Sequence, residues 1–338
     1  MVPALAVADA LRAEGADVDF IGGARAEAQL VPAAGFTLHA ISVEGLSRSN
    51  PLKALRALLR AALAVARARG LLRHLRPDAV MGGGGYVAGP VALAAVSLRI
   101  PLVLTEADSH LGVTNRLMAR FAKRVCLSFP LPGREGSRYR VTGRPIPLHE
   151  REPATARERL GIGAEETCVL VFGGSLGARS INHAAAEAFA GSAFHVLHIS
   201  GRRDYEELRA RELPLGYDVR EYLAEPDFAD ALAAADLAVA RAGGSVFEIA
   251  AHGVPAVLVP FPHAAGDHQS ANARWMSQAG AAVVIPDDEL TAARLARQVA
   301  ELLADRTALA AMAAASRALA RPQAAREVAG ELLEAARG

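Results

Sequence analysis

Residues 241–272 hold the densest set of side chains able to do chemistry. The run Arg241-Ala-Gly-Gly-Ser245 follows an apolar strand, Asp236 to Ala240, turns on Gly243 and Gly244, and opens a helix at Ser245. A glycine turn at a helix start leaves backbone N–H groups free and adds the positive end of the helix dipole. A phosphate can approach there without meeting a Cβ. Glu248 comes three residues after Ser245, about one helical turn on and on the same face, where a carboxylate reaches the vicinal hydroxyls of a ribose. A second strand, Ala256 to Val259, leads into a polar loop, and His268, Gln269 and Asn272 at the next helix start are suited to holding a sugar. Phosphate, ribose and sugar together describe a nucleotide sugar. Taken alone, the Gly-Gly pair is a tight turn and Glu248 a helix-stabilising charge. Gln269 and Asn272, at the carboxyl end of the next strand where such sheets bind ligands, favour the binding reading.

Two further glycine runs have the same strand–glycine–helix setting. Gly173-Gly174-Ser175-Leu176-Gly177-Ala178 follows the apolar strand Cys168 to Phe172. It lacks the Gly-x-Gly-x-x-Gly spacing of a dinucleotide fingerprint. It reads either as an anion site, with Ser175 offering a hydroxyl, or as a tight strand-to-helix turn. In the first half, Gly82 to Gly85 precede Tyr86 and open a helix, while the strand Pro101 to Thr105 leads to Glu106 and Asp108.

The elements that must position these residues alternate. Strands are expected near 17–22, 36–41, 79–81, 101–105, 125–128 and 140–142, and again near 168–172, 194–199, 217–221, 236–240, 256–259 and 282–285, with helices between. Nearly all-apolar strands in such alternation mean parallel sheets covered on both faces. The proline-punctuated segment Gly143-Arg144-Pro145-Ile146-Pro147 reads as a linker. The expected fold is α/β, with two Rossmann-like domains facing across a cleft: 1–144, 145–322, and a last helix, 323–338, packing back on the first domain.

The chain's 338 residues, 52% of them hydrophobic, suffice for two cores. Cys126 and Cys168 lie in strand-like runs and read as buried thiols of a reducing compartment, not as a disulfide or a metal site. No apolar stretch of about 18 residues suggests a membrane span, and no signal peptide is visible. The net charge of +1 hides a division: residues 1–147 carry 19 Lys+Arg against 10 Asp+Glu, and the remainder 18 against 26. No acid occurs between Glu44 and Asp78, where Lys53, Arg56, Arg60 and Arg67 flank a stripe of Leu52, Leu55, Leu59 and Leu63. Leucines beside snorkelling cations suit an anionic bilayer surface, although the same stripe could face a core. Without aromatic residues among the charges, nucleic acid is disfavoured as a partner.

These motifs, in this order and spacing, resemble the MurG family. The similarity spans nearly the whole chain and rests on Pro3-Ala-Leu-Ala-Val-Ala, Gly84-Gly-Tyr-Val-Ala-Gly-Pro90, Gly173-Gly-Ser-Leu-Gly-Ala178, Arg241-Ala-Gly-Gly-Ser, Glu248-Ile-Ala and Asp267-His-Gln-Ser-Ala-Asn272. The resemblance implies a GT-B fold with the acceptor domain first. It implies a peripheral enzyme on the cytoplasmic face of the bacterial membrane. The implied reaction moves N-acetylglucosamine, with inversion, from UDP-N-acetylglucosamine to the 4-hydroxyl of the N-acetylmuramyl residue of undecaprenyl-linked lipid I, giving lipid II. It places Gly174, Ser175 and Gly177 by the diphosphate, Gly243, Gly244 and Ser245 at the phosphates, Glu248 at the ribose, and His268, Gln269 and Asn272 at the sugar. Tyr86, Glu106 and Asp108 fall at the acceptor side of the cleft, where Tyr86 and Glu106 are the catalytic candidates. Asp108 and Arg144 join the donor-binding set; Gly84, Gly85, Lys53, Arg56 and Arg60 serve the acceptor and membrane. No cofactor or tightly held metal is expected, because backbone N–H groups can meet the charge on departing UDP.

Several departures stand out. The family's first glycine loop, Gly-Gly-Thr-x-Gly-His, would immediately precede Val2, and it is missing together with the strand before it. That strand is central in such a sheet, so its loss is expected to leave two strand edges inside the domain and points to a start codon upstream. Thr105-Glu106-Ala107-Asp108 stands for the usual His-Glu-Gln-Asn, and Gly143-Arg144-Pro145-Ile146-Pro147 for the usual Gly-Asn-Pro-x-Arg. The linker arginine is thus absent at its place, and Arg144, three residues earlier, is the candidate to substitute for it. The rivals are a GT-B transferase acting on another lipid and a UDP-N-acetylglucosamine 2-epimerase of the same architecture.

Overall fold

The computed structural model describes residues 1–23, 27–41, 51–147, 151–174, 176–224 and 226–338, with backbone alone at 51–60, 86 and 265. The chain divides into two compact units, Met1–Pro147 with Arg321–Gly338, and Leu148–Ala320.

The first unit runs α1 (Val2–Ala13), β1 (Asp19–Gly22), α2 (Glu27–Ala33), β2 (Thr37–Ala40), α3 (Pro51–Leu75), β3 (Val80–Gly82), α4 (Gly85–Ser97), β4 (Leu102–Glu106), α5 (Val113–Met118), β5 (Arg124–Leu127) and β6 (Tyr139–Val141). Pro3 sits in the first turn of α1, where its missing N–H has no intrahelical partner to lose. All strand pairs are parallel, but they form two sheets, β1–β2 and β3–β4–β5–β6. The outer strands β1 and β3 therefore each end a sheet within one unit. Helix α1 packs against both: Val7 joins Val103 and Cys126, while Ala8 joins Val31 and Phe36.

The second unit continues with α6 (Pro153–Leu160), β7 (Cys168–Phe172), α7 (Arg179–Ala188), β8 (His195–Ile199), α8 (Tyr205–Arg209), β9 (Tyr217–Arg220), α9 (Asp227–Ala234), β10 (Leu237–Ala240), α10 (Val246–His252), β11 (Ala256–Leu258), α11 (His268–Gln278), β12 (Ala282–Val284), α12 (Ala292–Ala304) and α13 (Arg306–Leu319). Its strands make one parallel sheet of order β12–β11–β10–β7–β8–β9. β7, β8, β10 and β11 are buried along their whole length, as expected of strands covered on both faces. The last helix, α14 (Ala324–Arg337), belongs to the first unit. There Val328 and Leu332 enter the core beside Val103, and Arg124 pairs with Glu331 at 2.8 Å.

Both cysteines are free and buried in strands. Burial pushes each thiol up to about 12, so both stay protonated at neutral pH.

Candidate functional site

Chain order within the second sheet fixes where a ligand can sit. From β7 the chain moves outward through β8 and β9, then returns to β10 on the other side of β7. The neighbours β7 and β10 thus mark the switch point, where crossover helices diverge and leave a crevice at the carboxyl ends. Phe172 pairs with Ala240 in the last step of the register, so the two strands end level. The glycine run 173–178 and the turn 241–245 leave the sheet side by side there.

The turn is shaped from below. Asn272, on α11 and only 4% exposed, donates Nδ2 to the carbonyls of Ala242 at 3.0 Å and Gly243 at 3.3 Å. Its Oδ1 is buried with no hydrogen-bond partner among the described residues. Gln269 accepts from the Phe261 N–H at 2.9 Å through Oε1, and its Nε2 is the nearest group to a Cβ built on Gly243, 4.0 Å away. Gly243 and Gly244 do not adopt positive φ; their use is bareness, not backbone freedom. Ser245 is the N-cap of α10, and Glu248 is the one residue of 246–250 that is not buried. It shares the half-buried rim with Gly243, Gly244 and Ser245. Asp267, at the N-cap of α11, has φ 54°, and its carboxylate accepts from the Ser270 hydroxyl at 2.6 Å. A non-glycine residue in the left-handed region at a polar loop stores strain of about 1–3 kcal/mol.

The neighbouring run 173–178 uses its glycines in two ways. Gly177, at φ +77°, lies so close to the Ser200 carbonyl that no side chain fits, and Gly173 is closed in by Ala178. Gly174, at φ +88°, faces open space and leaves its backbone accessible. The tight-turn reading therefore suits Gly173 and Gly177, and the anion reading has room only around Gly174. Ser175 lies outside the described residues. Beneath the loop, Asn182 donates to the Ser200 carbonyl and to Asp204, both at 2.8 Å. His198 Nε2 meets Asn182 Oδ1 at 3.1 Å and its Nδ1 meets the Tyr217 hydroxyl at 2.8 Å. Burial lowers His198 to about 4, so the ring is neutral in this chain of hydrogen bonds. Burial also works to raise Asp204, but hydrogen bonds from Arg203, Asn182 and Arg179 outweigh it and hold the carboxyl below its usual range.

In the first unit, Gly84, the N-cap of α4, and Gly85, its first residue, take φ +78° and +82°. No atom stands within 4 Å of a Cβ built on Gly85. The side chain of Tyr86 lies outside the described part, as do those of Lys53, Arg56 and Arg60 on α3. Glu106, at the end of β4 and buried, accepts from the Gly112 N–H at 2.8 Å, Asn115 Nδ2 at 3.0 Å and the Asp108 N–H at 3.2 Å. A carboxylate has about four acceptor positions, and three are filled. Its carboxylate thus ties down the 107–112 loop that presents the half-buried Asp108. Glu106 and Arg144 line one cavity of about 140 Å³ with Gly83, Thr105, Ser128 and Thr142.

The leucine stripe of α3 resolves at Leu63. Ala64, Ala68 and Leu72 face the core, whereas Leu63 is 58% exposed. Helix α4 packs between α3 and α5, and Leu93 on α4 is exposed too. On α5 and just beyond, Val113, Leu117 and Phe121 recur every four residues at 59%, 56% and 47% exposure. The Arg120 guanidinium lies 4.7 Å from the centre of the Phe121 ring.

Sequence reasoning missed Asn115 and Asn182, and it quoted Arg241 without a role. Each is a buried polar side chain beside a glycine turn, and that placement within the motifs is the signal available. Among the described residues, no cluster of three or more His, Cys, Asp or Glu could hold a metal ion, and no helix is long and apolar enough to cross a membrane.

Comparison with known proteins places the chain. Residues 1–127 match the glycosyltransferase family 28 N-terminal domain, and residues 168–328 its C-terminal domain. The UDP-N-acetylglucosamine–N-acetylmuramyl-(pentapeptide) pyrophosphoryl-undecaprenol N-acetylglucosamine transferase of Moorella thermoacetica is 42% identical over 95% of this chain and 91% of its own length. The enzyme of the same name from Rubrobacter xylanophilus is 43% identical over 98% of this chain and 99% of its own. The crystal structure of Acinetobacter baumannii MurG superposes with a TM-score of 0.77 at 32% identity, covering 98% of this chain and 95% of that one. The GT-B class expected from the sequence holds. With both family domains present and this identity sustained over nearly all of its length, the chain belongs to the MurG family.

Proposed function

We propose that this chain transfers N-acetylglucosamine from UDP-N-acetylglucosamine to the 4-hydroxyl of the N-acetylmuramyl residue of lipid I, with inversion, giving lipid II. The observation that carries the reading is the convergence of Gly174, Gly243–Ser245, Glu248, Gln269 and Asn272 at the carboxyl ends of β7, β10 and β11. Close relatives bearing the transferase name favour it over transfer to a different lipid and over 2-epimerisation.

Each group then has a task. Glu248 accepts the ribose hydroxyls. The bare amides of 243–245 and of Gly174 meet the diphosphate, with Ser175 beside it. Gln269 and His268 meet the sugar hydroxyls, with Asn272 holding the turn beside them. Negative charge grows on the UDP oxygen as the glycosidic bond breaks. N–H donors fixed before the reaction stabilise that charge without reorganising, which is where most of the rate enhancement would arise. This assignment needs no resident metal, so turnover should survive exhaustive chelation. On the acceptor side, Glu106 keeps one acceptor position for the proton of the attacking hydroxyl, with Asp108, Gly84, Gly85 and Tyr86 serving the acceptor and Arg144 the donor. The exposed Leu63, Leu93, Val113, Leu117 and Phe121, together with the basic residues of α3 and α5, hold the protein reversibly on the anionic cytoplasmic face of the membrane.

The test is transfer of radiolabelled N-acetylglucosamine from its UDP ester, with lipid I, diacylglycerol or no acceptor. Labelled lipid II from lipid I alone is the expected result. Label on diacylglycerol, or an epimerised UDP-sugar without acceptor, would overturn the reading.

A further inference from the structure

Arg241 is the last residue of this architecture one would choose to bury for free. It follows β10 directly and is 9% exposed. Its Nη1 donates to Asp287 Oδ1 at 2.6 Å and to the carbonyls of Val259 and Pro260 at 3.1 and 3.3 Å. Its Nη2 donates to Ser180 Oγ at 2.8 Å, and the Ser180 hydroxyl in turn donates to the same Asp287 oxygen at 2.6 Å. The guanidinium carbon stands 5.4 Å from the centre of the Phe261 ring. A buried ion pair is weak evidence of stability, because desolvation of both charges offsets their attraction. Its geometry says more than its charge does.

Arg241 and its contacts tie together four separate segments: the exit of β10, where Arg241 stands, the exit of β11, the turn after β12 and the second residue of α7. Three of these lead straight into the donor site. The turn 243–245 starts two residues after Arg241. Phe261, whose N–H holds Gln269, follows Pro260. Helix α7 is the continuation of the run 173–178. A planar fork with five donors can address an acid, a hydroxyl and two carbonyls at once, which the single ammonium of a lysine cannot.

We propose that Arg241 is a positioning residue for the transfer: with Asp287 and Ser180 it sets the spacing between the 173–178 run and the 243–245 turn, and so the places where the two phosphates of the leaving nucleoside diphosphate meet their N–H donors. The proposal rests on the donor site described above. Because charge on the diphosphate grows only as the bond breaks, a small error in that spacing weakens the transition state more than the bound donor. The effect belongs in kcat and in the binding of phosphates, and not in the binding of the nucleoside.

The test uses the full chain with Arg241→Lys and Ser180→Ala, reading kcat, KM for UDP-N-acetylglucosamine, and calorimetric binding of UDP and of uridine. For Arg241→Lys, kcat should fall by about 100-fold and KM rise by less than about 3-fold, as expected of an interaction felt mainly in the transition state. UDP should bind about 10-fold more weakly and uridine unchanged. Ser180→Ala removes one hydrogen bond and keeps the ion pair, so it serves should the lysine variant not fold; kcat should fall about 5-fold, and the double variant should be no worse than Arg241→Lys alone. Wild-type kcat in a folded variant, or equal losses for uridine and UDP, would overturn the positioning role. A wild-type chain that binds no UDP would instead remove the donor site on which the proposal stands.

Discussion

The two units solve the same architectural problem differently. The second closes six parallel strands into one sheet and pins the loops of its candidate site from beneath, through Asn272, Arg241 with Asp287, and the Asn182–His198–Tyr217 relay. The first divides its strands between two sheets, anchors its one carboxylate loop through Glu106 and Asn115, and leaves large apolar side chains in solvent along α3, α4 and α5. Under the proposed function the difference would follow the two substrates. A departing diphosphate needs donors fixed in advance, because reorganising dipoles during the reaction forfeits the electrostatic gain. A lipid-linked acceptor would call for an accessible apolar surface, which costs stability in water.

The largest expected effect strikes the pinned side. In Gly177→Ala the new methyl group meets the Ser200 carbonyl, and the residue must also keep φ +77°. Left-handed strain and overpacking together should cost about 3 kcal/mol or more, read as a fall in the midpoint of urea unfolding. Gly174→Ala meets only the strain term and should cost about 1 kcal/mol. Equal losses would show that the loop is not wedged against Ser200.

The next effect comes with acid and is specific to the second unit. His198 is held neutral at about 4 by burial, whereas in the unfolded chain it titrates near 6.5. The unfolded state therefore binds the extra proton first as pH falls. Stability is fully present above pH 6.5 and is lost progressively down to about pH 4, by roughly 3 kcal/mol if the burial persists. His198→Gln, which keeps a donor and an acceptor, should flatten the unfolding midpoint across that window. A parallel loss in the variant would place the acid sensitivity elsewhere.

Glu248→Ala sharpens the contrast at the site itself. Its side chain is the unburied one in the first turns of α10, so truncation should leave the unfolding midpoint within about 0.5 kcal/mol of wild type. Losing hydrogen bonds to a charged acceptor should weaken UDP binding by about 10- to 100-fold. Unchanged UDP affinity would move the ribose away from Glu248.

Much of this was legible because the parallel strands are continuous apolar runs and each site turn carries glycine. Cys168–Phe172 begins and ends where the composition says, and the Gly-Gly pair after β10 sits at the switch point. What stayed hidden was long-range. Arg241 meets Asp287 across 46 residues and Ser180 across 61, and no local pattern announces such partners. Asn115 reads as an ordinary helix residue until β4 brings Glu106 against it. The leucine stripe stayed undecided for a different reason. Alanine is small enough to let helices approach closely, so α3 buries Ala64 and Ala68 while Leu63 is exposed, and its periodicity alone could not say which face turns inward.

The smallest effect tests the open side. Leu117 and Val113 lie one turn apart on α5, each more than half exposed, with Arg116 and Arg120 beside them. Placing such a leucine at a bilayer interface removes part of its apolar area from water, and each nearby cation adds about 1 kcal/mol near an anionic surface. Leu117→Gln should therefore weaken binding to vesicles of either charge by about 5-fold, since it deletes the apolar part alone. Arg116→Gln should weaken binding about 5-fold on anionic vesicles and leave neutral ones unaffected, an effect that fades as salt screens the charge. Both residues belong to the first unit, and those assigned to the diphosphate, ribose and sugar to the second, so UDP binding should be unchanged in both variants. Vesicle binding that ignores both substitutions would remove α5 from the membrane surface and leave its apolar ridge to another partner.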